Sequence, residues 1–169
     1  MGARLTLAIV GAVLMIASTF IPTIFFPSVS GGYFGKDVDG PVLYWIFGEV
    51  FAWVIETREY TSGGSYSYHT TYGNFRPDVF GMICTTIIIA AAVLAIVLGA
   101  TTESKAALVG GVLGLVTIIF FYVSVMNNLF YTRVYSIVSD GNFPYPFIGF
   151  FVCIVGGILA LVGGTLEKY

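Results

Sequence analysis

Apolar residues gather in four long runs, at about 5–26, 80–100, 105–126 and 146–166, and none has an Asp, Glu, Lys, Arg or His in its middle. A hydrocarbon core about 30 Å thick needs about 20 apolar residues in a helix, so each run predicts a transmembrane span. Arg4 ahead of the first run gives it the look of a signal peptide, but a cleavable core is only about 7–15 residues long. This run reaches Phe26, which predicts an uncleaved span. Beyond Met126, the residues Leu129, Phe130, Val134, Ile137 and Val138 keep a helical apolar face until Ser139-Asp140-Gly141-Asn142 supplies a turn. The third helix is therefore expected to project outward to about residue 138.

Residues 27–79 separate the first two spans, too long a stretch for a plain connector, so they are expected to fold into a cap. Asp39 and Gly40 before Pro41 read as a helix start. The stretch 41–57 then places Leu43, Ile46, Phe47, Val50, Phe51 and Val54 on one face, an amphipathic helix at the membrane surface. Trp45 and Trp53 are candidate membrane-interface anchors. Next, aromatic and small polar residues alternate on either side of Gly63-Gly64, the signature of a tight hairpin. Tyr60, Tyr66, Tyr68 and Tyr72 form the candidate interaction face, because tyrosine joins a large contact area to a polar tip.

Helices associate in lipid by close packing, so small residues four apart mark contact ridges. These are Ala8 and Ala12 in the first span, Ala91, Ala95 and Gly99 in the second, Gly110 and Gly114 in the third, and Gly156, Ala160 and Gly164 in the fourth. They predict an antiparallel helix bundle, with a homo-oligomer seam as the competing use.

Composition agrees with that pattern: 57% of the 169 residues are apolar and 9% are charged, against about 25% charged in soluble domains. The net charge of −2 without a basic run excludes nucleic-acid binding. Arg4, Lys105 and Lys168 crowd onto the short segments of one side, whereas Lys36, Arg58, Arg76 and Arg133 are spread through the long ones. The denser side is expected to be cytoplasmic, with both termini there and with 27–79 and 133–145 outside.

Reactive chemistry is sparse. His69 is the single histidine, which excludes a bis-histidine haem or a multi-histidine copper site from this chain alone. Cys84 and Cys153 fall inside spans without a Cys-x-x-Cys partner and read as packing residues. Gly35-Lys36-Asp37-Val38-Asp39-Gly40 resembles the start of a calcium loop but lacks the later acidic ligand, and reads as a turn and helix cap. No catalytic residue, metal ligand or cofactor site is assigned.

The expected fold is an all-α membrane protein: a four-transmembrane-helix bundle with a small extracellular α+β cap made of a short helix and a β-hairpin. With both ends inside, a large first outer segment, a short inner loop at 101–104 and a projecting third helix, this topology resembles that of the claudin-type tetraspan families. The resemblance is architectural. The claudin signature, Trp then Gly-Leu-Trp and two cysteines in the first outer segment, is absent, and Trp45, Gly48 and Trp53 do not reproduce its spacing. The expected function is a non-catalytic membrane scaffold or adhesion-like protein whose cap binds a second copy or another membrane protein. The alternative is a non-catalytic accessory subunit of a larger respiratory or transport assembly.

Overall fold

The computed structural model describes residues 3–33, 36–52, 55–61, 64–69, 72–75, 77–101, 104–130, 132 and 134–166; for 36–37, 55–61, 64–69, 72–75, 97–101 and 104 it describes the backbone alone. Helix α1 (Ala3–Ser18) leads into strands β1 (Ile24–Tyr33), β2 (Lys36–Tyr44), β3 (Glu49–Ala52), β4 (Ile55–Thr61), β5 (Gly64–His69) and β6 (Tyr72–Phe75). Then follow α2 (Val79–Thr101), α3 (Ser104–Met126), the short α4 (Tyr135–Ser139), β7 (Tyr145–Pro146) and α5 (Ile148–Thr165). Three helices, α2, α3 and α5, are long and apolar enough to cross a membrane, while α1 is a shorter apolar helix. Helix α1 packs against α5 and α2, and α3 packs against α5 and α2.

Three expectations are corrected. The first apolar run is not one helix, because α1 stops at Ser18 and Ile24–Phe26 already belong to β1. Pro22 is the physical reason, since a proline cannot supply the N–H that continues a helix and disfavours helical geometry in the residue before it. The helix expected over 41–57 is also absent, replaced by β2, β3 and the start of β4. Burial there alternates, with Val38, Val42, Tyr44, Val50 and Ala52 buried, and the residues are rich in the β-branched and aromatic types that favour strands. Gly48, at φ +106°, lets the chain reverse between β2 and β3, where the Trp45 N–H donates to the Glu49 carbonyl at 2.9 Å. The third helix does not project to 138. It ends at Met126, where Asn128 adopts φ +52° and the Leu129 and Asn128 N–H groups return to the Ser124 and Val125 carbonyls at 3.0 and 3.3 Å. That pair of bonds is a Schellman termination, which satisfies the last carbonyls of the helix.

The seven strands form one sheet of order β5-β4-β2-β1-β7, with β3 also pairing β2 and β6. Strands β3 and β4 follow each other along one edge of β2, and β6 and β5 line their far side, so the ladder traces an antiparallel meander. The register of β1 on β2 shifts between Phe26 and Val29, where Pro27 and Ser28 stand against Pro41. Both prolines thus sit at an irregularity of the ladder, the place in a sheet where a missing N–H is tolerated. One face of the sheet closes on the helices: Ile24, Phe26, Val29, Val42, Tyr44 and Val50 share a buried cluster with Phe121, Val125 and Ile137.

Candidate interaction site

Alternation along the strands gives the sheet a second face, turned away from the helices. Phe25 pairs with Leu43 and Leu43 with Phe51, a cross-strand apolar row, and Tyr145 of β7 stands opposite Phe25 on the other side. Phe25, Leu43 and Phe51 are half-buried, and Tyr145 is exposed. The row continues toward α5, since the rings of Phe25 and Phe147 lie 5.4 Å apart and those of Phe143 and Tyr145 4.9 Å apart. Such neighbours stabilise a sheet through side-chain contact, and here each of Phe25, Leu43 and Phe51 keeps part of its surface exposed.

Buried hydrogen bonds hold this sheet to the bundle. Asp78, 4% exposed, precedes α2 and accepts from the Phe80 and Gly81 N–H groups through Oδ1 at 3.0 and 3.2 Å. It therefore satisfies two of the N–H groups that a helix start leaves without intrahelical partners. Its Oδ2 accepts from the buried Tyr44 hydroxyl of β2 at 2.9 Å, and the Tyr44 ring stacks on Phe121 of α3 at 6.2 Å. Sequence reasoning missed this role for Asp78; its signal was an acid immediately ahead of an apolar helix, a helix-start pattern. Two further ties reach the loop after α3. The Tyr33 hydroxyl donates to Asp140 at 2.7 Å, and the Tyr122 hydroxyl donates to the Pro144 carbonyl at 2.7 Å. Burial, and then the hydrogen bond to Asp140, push the Tyr33 hydroxyl above its ordinary value of 10.0.

The four candidate tyrosines do not share one face. Tyr60 stands opposite Ser65, while Tyr66 and Tyr68 stand opposite Glu59 and Thr57. Period-two alternation therefore assigns Tyr60 to one face of the ribbon and Tyr66 and Tyr68 to the other. Tyr72 belongs to a different strand, opposite Ala52. The side chains of these tyrosines lie outside the described residues. Gly64 pairs with Thr61 as the first residue of β5, and Gly63 of the expected Gly63-Gly64 turn lies outside the described residues. Of the two candidate interface anchors, Trp45 donates its indole N–H to the Phe20 carbonyl at 3.1 Å, and Trp53 lies outside the described residues.

The small residues lie at helix contacts within the chain. A Cβ on Gly110 would stand 2.5 Å from the Ala91 carbonyl oxygen and 3.1 Å from the Ala95 methyl, and one on Gly156 would meet Gly11 and Met15. A Cβ on Gly114 would meet Met15, and one on Gly164 would meet Leu108, while Ala8, Ala12 and Ala160 are buried. The surroundings of Gly99 lie outside the described residues. Large aliphatic residues occupy the outward faces instead, among them Val79, Ile83 and Val93 on α2 and Val109, Val116 and Ile119 on α3. Cys84 and Cys153 are buried and unpaired by disulfide. Among the residues whose side chains are described, no three His, Cys, Asp or Glu come together.

The chain matches no protein-family model and no curated protein sequence. Its reading rests on its own geometry: helices fit to cross a membrane, joined through the buried Tyr44–Asp78 hydrogen bond to an antiparallel sheet whose far face carries the half-buried apolar row Phe25, Leu43 and Phe51.

Proposed function

We propose that this is a four-helix membrane protein, claudin-like in topology, whose extracellular sheet is a recognition surface for a second copy of the chain or another membrane protein. Both termini lie in the cytoplasm in this reading, and no step of chemistry is performed. Helix α1 serves as the fourth crossing. Its 16 residues extend about 24 Å, and the turn bonds from Thr19, Phe20 and Ile21 to Ile16, Ala17 and Ser18 add about 2 Å per residue. The sum approaches the thickness of the hydrocarbon core, about 30 Å.

The observation that carries the reading is the row Phe25, Leu43 and Phe51 on the sheet face turned away from the helices. The internal use of the small-residue ridges supports it further. Gly110, Gly156 and Gly164 already pack against neighbours of the same chain, leaving bulky aliphatic faces that suit lipid better than a close helix seam. Leu43→Glu places a charge in the middle of the row. Native-gel mobility and co-purification from membranes should then show the partner, or the second copy, lost from a chain that still inserts and folds. A variant that stays associated like the parent overturns the reading. Co-purification of cofactor-bearing chains in fixed proportion would place the protein as an accessory subunit instead.

A further inference from the structure

The register of the sheet brings together three ligand-type residues that lie far apart in sequence. Asp37 of β2 stands directly opposite Glu56 of β4, and Glu56 stands directly opposite His69 of β5. On the other side of Asp37 the opposite residue is Gly32 of β1. The described neighbours locate this row on the outward face: Ser30, Gly32 and Asp39 are exposed, whereas Val38 and Tyr33, of opposite parity, are buried. Asp39 occupies the next position on the same face of β2, opposite Ser30, and Arg58 the next on β4, opposite Ser67.

Directly opposite residues of an antiparallel pair have Cβ atoms about 4.5–5.5 Å apart, and like charges in that relation are destabilising. The register sets Asp37 and Glu56, two positions that carry like charge, directly opposite each other, with Asp39 the next position on that face of β2 and Arg58 the next on β4. A cation between the strands removes the repulsion. With an imidazole completing the row, the donor set is two carboxylates and one nitrogen. Calcium and magnesium prefer oxygen alone, whereas zinc and its first-row neighbours accept imidazole with carboxylate. Three residues side by side on an open sheet face leave positions for water or for a ligand from another molecule.

We propose that the cross-strand row Asp37, Glu56 and His69 is a binding site for a divalent first-row transition-metal cation on the outer face of the sheet. The test is calorimetric titration of Zn²⁺ into the full-length, tag-free chain in detergent, repeated with His69→Ala, Asp37→Asn, Glu56→Gln and Arg58→Gln. The parent should bind one Zn²⁺ per chain. His69→Ala, Asp37→Asn and Glu56→Gln should each weaken binding at least tenfold, with circular dichroism and elution volume unchanged. Arg58→Gln, which removes a competing cation, should bind at least as tightly as the parent. Co²⁺ in place of Zn²⁺ should give visible absorption bands that disappear in His69→Ala. Absence of saturable Zn²⁺ binding to the parent, or unchanged affinity in His69→Ala, overturns the site. Tighter binding of Ca²⁺ than of Zn²⁺ also overturns it, since that preference would leave the histidine without a role.

Discussion

Asp78→Ala should be among the most damaging single substitutions in the chain. It removes the acceptor for the Phe80 and Gly81 N–H groups at the start of α2, and loss of a helix cap costs about 1 kcal/mol, within about 0.5–2. It also removes the carboxylate that accepts from Tyr44, a side chain with no exposed surface, and a buried hydroxyl deprived of its acceptor costs about 1–3 kcal/mol. The two losses together amount to about 2–4 kcal/mol, a large share of the about 5–15 kcal/mol that holds an ordinary domain folded. Two companions separate them. Asp78→Asn keeps a capping oxygen and should cost less than Asp78→Ala. Tyr44→Phe removes the hydroxyl with its bond and should cost about 1 kcal/mol. In the double variant Tyr44→Phe with Asp78→Ala, the penalty should fall short of the sum of the singles, because no hydroxyl remains to be deprived. Reversible unfolding in mixed micelles, followed by tryptophan fluorescence and circular dichroism, measures all four. An Asp78→Ala chain within about 0.5 kcal/mol of the parent, the range of an ordinary surface change, would refute the idea that this carboxylate ties sheet to bundle.

Gly11→Ala should destabilise the chain by about 1–3 kcal/mol, because its Cβ would lie 2.5 Å from both the Ala160 nitrogen and the Gly156 carbonyl oxygen, backbone atoms that cannot rotate away. On the same helix, Val13→Ala, at a position 53% exposed, should stay within about 0.5 kcal/mol in the same unfolding assay. Tyr33→Phe should cost about 1–2 kcal/mol at neutral pH through loss of the Asp140 bond. Because the folded-state Tyr33 value lies above the ordinary 10.0, its contribution is intact below about pH 10 and declines as pH rises through the folded value. The stability gap between parent and Tyr33→Phe should therefore hold constant up to about pH 10 and narrow only above it.

Much of the helical part was legible because apolar run length is a direct physical requirement of lipid. The α2, α3 and α5 boundaries fall within about two residues of the runs read from sequence, the usual scatter of helix ends. The sheet was less legible. Over 41–57, Leu43, Ile46, Phe47, Val50, Phe51 and Val54 fit a helical face, while Val42, Tyr44, Val50 and Ala52 are what the strands bury. Where almost every residue is apolar, both periods find matches, and Gly40, at φ +136°, and Gly48 were the deciding signals. The apolar positions Leu129, Phe130, Val134, Ile137 and Val138 keep a helical spacing beyond Met126, yet Asn128, at φ +52°, is where the backbone stops being helical. The Asp37, Glu56 and His69 row could not be found by spacing at all, since long-range register alone makes these residues neighbours. His69, read alone, is a solitary histidine.

The central claim, association through the outer sheet rather than through the spans, is tested most directly by site-specific photo-crosslinking in native membranes. A photoreactive side chain replaces Leu43 in the outward row or, in a second chain, Val116, 59% exposed on α3. An adduct to a second copy or to another protein from position 43, with lipid adducts alone from position 116, is the predicted result. Protein adducts from position 116 with none from position 43 would contradict the claim and return the interface to the helices.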